Sequence, residues 1–243
     1  MTVEAAPSPS PAPPAHERLL LLGANGPTGR QVVRQALARG HRVLALTRHP
    51  EAFPIRDARL EVIAGDATDA TVVQDAIAGA NAVISVIGAS FTRKPVEVYS
   101  ESAALVVAAM IGYRQGRLIV VTSAGVHPSH QQQGLAQRAA FTLMRRTLGR
   151  TVYDDMVRME AIVSATDLDW TIVRPPGLTD EPGRGYQVAR DEIEGRLCAR
   201  EDLARMLLDQ LTDTRYHQGI AAVTTPRLSV GTLQMFRREV LKR

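Results

Sequence analysis

Four consecutive leucines, Leu19, Leu20, Leu21 and Leu22, run straight into Gly23-Ala24-Asn25-Gly26-Pro27-Thr28-Gly29. An unbroken apolar run closed by glycine marks a strand buried on both faces. On the far side of the turn, Val32, Val33, Ala36 and Leu37 share one helical face, and Gly40 stops the pattern. A doubly buried strand, a three-glycine turn and a helix leave few architectures open. A strand of that kind belongs to a parallel sheet with helices on both sides.

The rest of the chain repeats the alternation. Short apolar runs at 43–46, 60–64, 82–87, 118–122 and 170–173 predict five further strands. Helical spacing at 70–78, 99–113 and 153–165 predicts the crossovers between them. Strands separated by helices imply right-handed βαβ units, so the expected class is α/β, a Rossmann-type doubly wound parallel sheet. Residues 131–150 read as an extra helix inserted after the fifth strand. Beyond Pro176 strict alternation lapses into a small C-terminal substrate-side region, with a short stretch at 186–189, a helix at 201–211, a strand at 220–224 and a terminal helix at 230–241.

The glycines of the first turn each have a physical task. Gly23 permits the tight exit from the strand, Gly26 lets backbone amides approach a pyrophosphate, and Gly29 lets the helix lie close to the sheet. Asn25 and Pro27 complete the turn, and the helix N-terminus offers unpaired N–H groups with partial positive charge. Thr28 can cap that terminus or donate to a phosphate oxygen. The end of the second strand selects the dinucleotide. An acid there binds the ribose diol of NAD, whereas this chain has Thr47-Arg48-His49. The planar fork of Arg48 suits a 2′-phosphate, so the expected cofactor is NADP(H), with Arg30 a weaker second candidate. Asp66 and Ala67, after the third strand, are placed for the adenine, although Asp66 is equally readable as a helix cap. Ile87 and Gly88, after the fourth, let backbone pass the ribose.

Composition narrows the classes further. Of 243 residues, 45% are hydrophobic and 22% charged, an ordinary globular balance. No apolar run approaches the roughly 20 residues that span a bilayer. A single cysteine, Cys198, excludes an internal disulfide framework and leaves a metal site without a thiolate cluster, so no metal is expected. The net charge of +4 rests almost wholly on arginines, Lys94 and Lys242 being the only lysines, and these are spread along the chain. Neither a nucleic-acid nor a membrane partner is therefore expected. Residues 1–16, with Pro7, Pro9, Pro11, Pro13 and Pro14, read as a disordered Pro/Ala-rich tail without the pattern of a secretion signal. Residues 17–243 read as one NAD(P)-binding domain, cytoplasmic, a monomer or small homo-oligomer.

Taken together, GANGPTG at 23–29, GDATD at 65–69, TSAG at 122–125 and LDWTIVRPPGLTD at 168–180 resemble the NmrA-like, atypical short-chain dehydrogenases. Asp154-Asp155-Met156-Val157-Arg158-Met159 and the Arg174-Pro175-Pro176-Gly177 corner bring the chain nearest to flavin reductase (biliverdin-IXβ reductase)-like proteins. The resemblance covers roughly residues 18–225. It implies a nicotinamide near the fifth strand and the Pro175-Pro176 corner, which adds Thr122, Ser123, Pro175, Gly177 and Leu178 to the cofactor set. It also puts Ser123 where the family has a serine close to nicotinamide and substrate.

Two departures bear on chemistry. Glu160 stands where family members often carry a histidine, which weakens any carry-over of bile-pigment reduction. The Tyr-x-x-x-Lys dyad is absent, since Tyr153 is followed four places on by Val157 and Tyr113 by Arg117. The expected activity is hydride transfer to a small planar acceptor such as a flavin, quinone or tetrapyrrole, with Ser123 and Glu160 as the catalytic candidates. Ser123 either donates to the acceptor or caps its own loop. Glu160 orients the site, relays a proton, or is a plain surface carboxylate. His127 and His130 follow the fifth strand closely enough to line the pocket. The alternative is a non-catalytic NADP(H)-binding redox sensor, with the pocket after the fifth strand plugged by the helix at 131–150.

Overall fold

A computed structural model describes residues 4–5, 17–92, 94–114, 116–126 and 149–228. In chain order the elements are β1 (Glu4–Ala5), β2 (Arg18–Leu22), α1 (Pro27–Ala38), β3 (Arg42–Thr47), β4 (Leu60–Ala64), α2 (Ala70–Ala78) and β5 (Ala82–Ser85). They continue with α3 (Val98–Gly112), β6 (Arg117–Val121), α4 (Arg150–Ser164), β7 (Asp169–Arg174) and β8 (Gly177–Thr179). The last are β9 (Gln187–Arg190), β10 (Leu197–Ala199), α5 (Arg200–Asp209) and β11 (Gly219–Thr224).

The main sheet runs β1-β9-β11-β7-β6-β5-β2-β3-β4. From β11 to β4 every pairing is parallel, while β9 and β1 add an antiparallel margin. β2 lies between β3 and β5, with Leu20 level with Leu44 on one side and Val83 on the other. Strand order reverses at β2, and open α/β sheets bind ligands at the C-terminal ends of the strands beside such a reversal.

The four leucines explain the layers. Successive side chains of a strand point to opposite faces. Leu19 and Leu21 join a core with Val33 of α1 and Leu203 and Leu207 of α5. Leu20 and Leu22 join another with Ile77 of α2, Tyr99 and Met110 of α3 and Met159 of α4. Each such leucine contributes about 1.5–3 kcal/mol on burial. α1 ends where Gly40 adopts φ +89°, a conformation open to glycine at little cost. α3 has no side-chain cap of its own; Asp155 of α4 supplies one, its Oδ2 accepting the Tyr99 N–H at 2.9 Å and its Oδ1 the Ser100 hydroxyl.

Several boundaries differ from the sequence reading. The fourth expected strand stops at Ser85, where its neighbour β2 ends at Leu22 and Val86 donates the last hydrogen bond to the Leu22 oxygen. Arg150 opens α4 instead of closing a preceding helix, with Gly149 as its N-cap. The region after Pro176 contains a parallel pair, β8 with β10, too short to show a period in sequence. Glu4 and Ala5, read as part of a disordered tail, pair with Val188 and Gln187 at the sheet edge. The rest of that tail, the inserted helix up to residue 148 and the terminal helix at 230–241 lie outside the described residues. Among the described residues no helix is long and apolar enough to cross a membrane.

Candidate functional site

The site is built on the C-terminal ends of β2 to β7. At the end of β2, Gly23 adopts φ +78°, and a Cβ there would stand 2.7 Å from the Val86 carbonyl oxygen. A Cβ on Gly29 would stand 2.3 Å from the Gly23 oxygen and 2.7 Å from the Ala24 Cα, so α1 lies directly on the strand exit. Gly26 donates its N–H to the Gly23 oxygen at 3.1 Å and is the N-cap of α1. Thr28 does not cap the helix as expected: the cap falls on Gly26, and Thr28 is already inside the first turn and buried. No side chain caps this terminus and no acid lies in its first turn. The first N–H groups of a helix have no intrahelical partner, so the terminus is a cradle fit for a pyrophosphate. Pro27 occupies the first helical turn at no cost in hydrogen bonds. Asn25 Oδ1 accepts from Arg30 Nε at 3.1 Å and Nη2 at 2.8 Å, which ties Arg30 back onto the turn.

The ends of β3 and β4 bring Arg48 and Asp66 together. Arg48 Nη1 lies 3.9 Å from Asp66 Oδ2, with the arginine side chain 72% exposed and available to a ligand. Asp66 Oδ1 accepts the Thr68 N–H at 3.0 Å and its hydroxyl at 2.9 Å. The Thr68 N–H holds the Asp66 carboxyl below the usual carboxylate range, against an opposing effect of burial and with smaller help from the Thr68 hydroxyl and Arg48. The helix cap of α2 is Asp69, whose side chain accepts from Thr71 and Val72, so Asp66 shapes the turn before it, next to Ala67.

On the other side of β2, Ile87 and Gly88 follow β5. A Cβ at Gly88 would meet nothing within 4 Å, which leaves the space above it open. Ala89 donates its N–H to the buried Tyr99 hydroxyl at 2.9 Å, fixing the loop from below.

After β6 the chain forms a tight turn of small residues. Thr122 donates its N–H to the Val173 oxygen and Ala124 to the Pro175 oxygen, both at 2.9 Å. Ser123 Oγ accepts the Gly125 N–H at 3.1 Å. The serine therefore does cap its loop, yet a hydroxyl that accepts still has a proton to donate. Gly125 lies against Tyr153 of α4, where a Cβ would be 2.6 Å from the ring. Gly177 and Leu178, beyond the Pro175 corner, are held in β8 beside Leu197 and Cys198 of β10.

Glu160 is not a surface carboxylate. It is 7% exposed, and both its oxygens are engaged by Arg174, Nε to Oε1 at 2.9 Å and Nη2 to Oε2 at 2.6 Å. The Thr122 hydroxyl donates to Oε1 at 2.7 Å. Sequence reasoning missed Arg174 and Tyr153 as site residues. The available signal was an arginine ending the apolar strand Trp170 to Val173, since a buried guanidinium needs a carboxylate partner. His127, His130 and the expected plug lie outside the described residues. Among the described residues no group of three or more His, Cys, Asp or Glu could hold a metal ion.

Known proteins resemble this chain in sequence and in fold. A family model described as NAD(P)H-binding matches residues 23–214. An oxidoreductase of Emericella nidulans, stcQ, is 26% identical over 233 residues, covering 86% of this chain and 84% of that protein. An uncharacterized protein of Mycobacterium tuberculosis is 30% identical over 200 residues, 81% of this chain but 21% of that protein. The chain thus spans about a fifth of the length of that relative. Among solved structures, ChuY, an anaerobillin reductase from Escherichia coli O157:H7, is similar with a TM-score of 0.67 at 25% identity, covering 88% of this chain and all (100%) of ChuY. A short-chain dehydrogenase/reductase from Veillonella parvula, in complex with NADP, has the same fold at a TM-score of 0.71 and 19% identity, covering 87% and 95% of the two chains.

Proposed function

The chain belongs to the NAD(P)H-binding family, and from that premise we propose that it is an NADPH-dependent reductase of a planar acceptor, a flavin, quinone or tetrapyrrole. The observation that carries this reading is the Ser123 turn. It presents a hydroxyl, already oriented by the Gly125 N–H, at the end of a central parallel strand among residues too small to obstruct a flat ring.

The turn from Gly23 to Gly29 and the α1 N-terminus would hold the pyrophosphate, and Arg48 the 2′-phosphate. When bound, the nicotinamide supplies the hydride. Ser123 donates a hydrogen bond to the acceptor and orients it, and water supplies the proton that a flavin or quinone requires. A tetrapyrrole is the first acceptor to try, because ChuY is described as an anaerobillin reductase. A cytoplasmic location and a monomer or small homo-oligomer complete the proposal.

NADPH and NADH oxidation measured against flavins, quinones and linear tetrapyrroles tests it. Turnover with at least one class, faster with NADPH, is the expected result. Tight NADPH binding without turnover of any class overturns it in favour of a redox sensor.

A further inference from the structure

Where α4 meets the ends of β6 and β7, three polar side chains are almost wholly buried: Glu160 at 7%, Arg174 at 8% and Thr122 at 5% exposure. Each lies on a different element or strand end, and the carboxylate joins all three. Buried ion pairs are poor sources of stability, because desolvating two charges offsets most of their attraction. Packing α4 onto the sheet would be served as well by an apolar pair. The bidentate contact adds direction: a guanidinium fork and a carboxylate share one plane, and the third hydrogen bond reaches the residue next to Ser123.

We propose that Glu160 is a positioning residue, whose carboxylate locks the turn at 122–125 against the Arg174-Pro175 corner and thereby aims the Ser123 hydroxyl. The catalytic half of this inference rests on the reductase reading above; the mechanical half does not. The two strand ends are already joined through backbone, Thr122 to Val173 and Ala124 to Pro175. Those bonds tie the turn to the end of β7. The Thr122 hydroxyl, held at 2.7 Å by Glu160, adds a side-chain restraint from a third element, α4.

The same helix steadies the neighbouring loop. Thr151 donates its hydroxyl to the Thr92 oxygen and Arg158 its Nη2 to the Val96 oxygen, both at 2.9 Å, and the Tyr153 and Phe91 rings lie 6.0 Å apart. α4 thus serves as a common reference for the loop after β5, the turn after β6 and the corner after β7. A side chain on this helix can position the site without touching what binds there.

The test uses the full chain with Glu160→Met and Arg174→Met combined, which removes both charges and retains volume; Glu160→Gln alone leaves Arg174 buried without a charge partner and serves as the harsher comparison. Amide exchange at Ala124 and Gly125 is read alongside thermal melting, NADPH affinity and turnover. We expect the double variant to fold, and exchange at these two amides to rise about tenfold as the turn loosens. NADPH affinity should stay within about threefold, while kcat falls roughly ten- to a hundredfold and Ser123→Ala adds nothing further in this background. Unchanged exchange in the folded double variant overturns the proposal, as does a double variant that cannot fold, which would make the pair a requirement of the fold. If the wild-type chain turns over no acceptor, the reductase reading falls, and the exchange measurement still decides the role of Glu160.

Discussion

Gly29 approaches Gly23 so closely that a side-chain carbon on Gly29 would lie 2.3 Å from the Gly23 carbonyl oxygen. Backbone is the obstacle on both counts, oxygen at 2.3 Å and the Ala24 Cα at 2.7 Å, so nothing flexible can yield. Gly26 is different, since a Cβ there meets only the Gly23 oxygen, at 3.3 Å. Gly29→Ala should therefore cost about 1–3 kcal/mol of stability, by overpacking, seen as a lower denaturation midpoint. Gly26→Val should leave the fold intact and abolish NADPH binding, its branched side chain filling the space where backbone must meet the pyrophosphate. A folded Gly26→Val variant that still binds NADPH in calorimetry would show that the pyrophosphate lies elsewhere.

Arg48 is the residue on which cofactor choice should turn. Its side chain is mostly exposed, and its 3.9 Å approach to Asp66 is too long and too wet to hold it in place. A 2′-phosphate can therefore recruit it without breaking a strong contact. Arg48→Ala should weaken NADP(H) binding by on the order of 1.5–3 kcal/mol and leave NAD(H) affinity within about twofold. Calorimetry with both dinucleotides checks this, and equal losses would remove Arg48 as the selector.

The legible parts of this protein were those governed by local period and by strand ends. Leu19 to Leu22 showed a doubly buried strand because four apolar residues in a row leave neither face to water. Gly23, Gly26 and Gly29 were readable because the geometry they permit is local. Glu160 was open to misreading for the opposite reason. On α4 it adjoins the buried Met159 in sequence yet lies one turn on from exposed Val157, on the same side of the helix, a position that helical period alone leaves ambiguous. Its partner Arg174 is on another element, and the contact exists only once α4 has packed across β7. Asp155 was hidden in the same way, since an acid that caps a neighbouring helix leaves no mark on its own helical pattern.

That cap has a measurable consequence. Asp155 is fully buried and receives the Tyr99 N–H, the Ser100 hydroxyl and Arg158 Nη2. Asp155→Ala removes the acceptor of the Tyr99 N–H and leaves the Ser100 hydroxyl with the Glu97 carbonyl oxygen at 3.3 Å, and should lower stability by about 2–3 kcal/mol in urea unfolding. A loss below about 0.5 kcal/mol would mean that solvent or another residue takes over the cap.

His41, at the start of β3, is fully buried, and neither ring nitrogen has a hydrogen-bond partner among the described residues. Burial, with a smaller contribution from the Arg39 charge, pushes its pKa below the ordinary value. The unfolded chain therefore takes up a proton before the folded one does. Its contribution to stability is complete above the unfolded value of about 6.5 and is lost as pH falls through the window between the two values. Melting temperature should accordingly drop as pH is lowered below about 6.5, and His41→Leu should remove that part of the slope. An identical slope in the variant would assign the effect to other groups.

Ser123→Ala is expected to lower kcat for acceptor reduction by roughly ten- to a hundredfold, with little change in NADPH affinity. The serine lies two residues past the end of a central strand, and its oxygen already accepts the Gly125 N–H at 3.1 Å, which leaves its own proton to be donated to a bound acceptor. A single hydrogen bond that strengthens as charge develops on the acceptor accounts for a factor of that size. Hydride donation belongs to the nicotinamide, so the variant should stay measurably active. The loop itself should survive, because Ala124 keeps its bond to Pro175 and Thr122 its bond to Glu160. Steady-state kinetics on the best acceptor, with melting and NADPH titration as controls, separates the two roles of the hydroxyl. A stable variant with wild-type kcat would leave Ser123 as a turn-forming residue only, and a large loss of melting temperature would mean that its bond to Gly125 carries the turn.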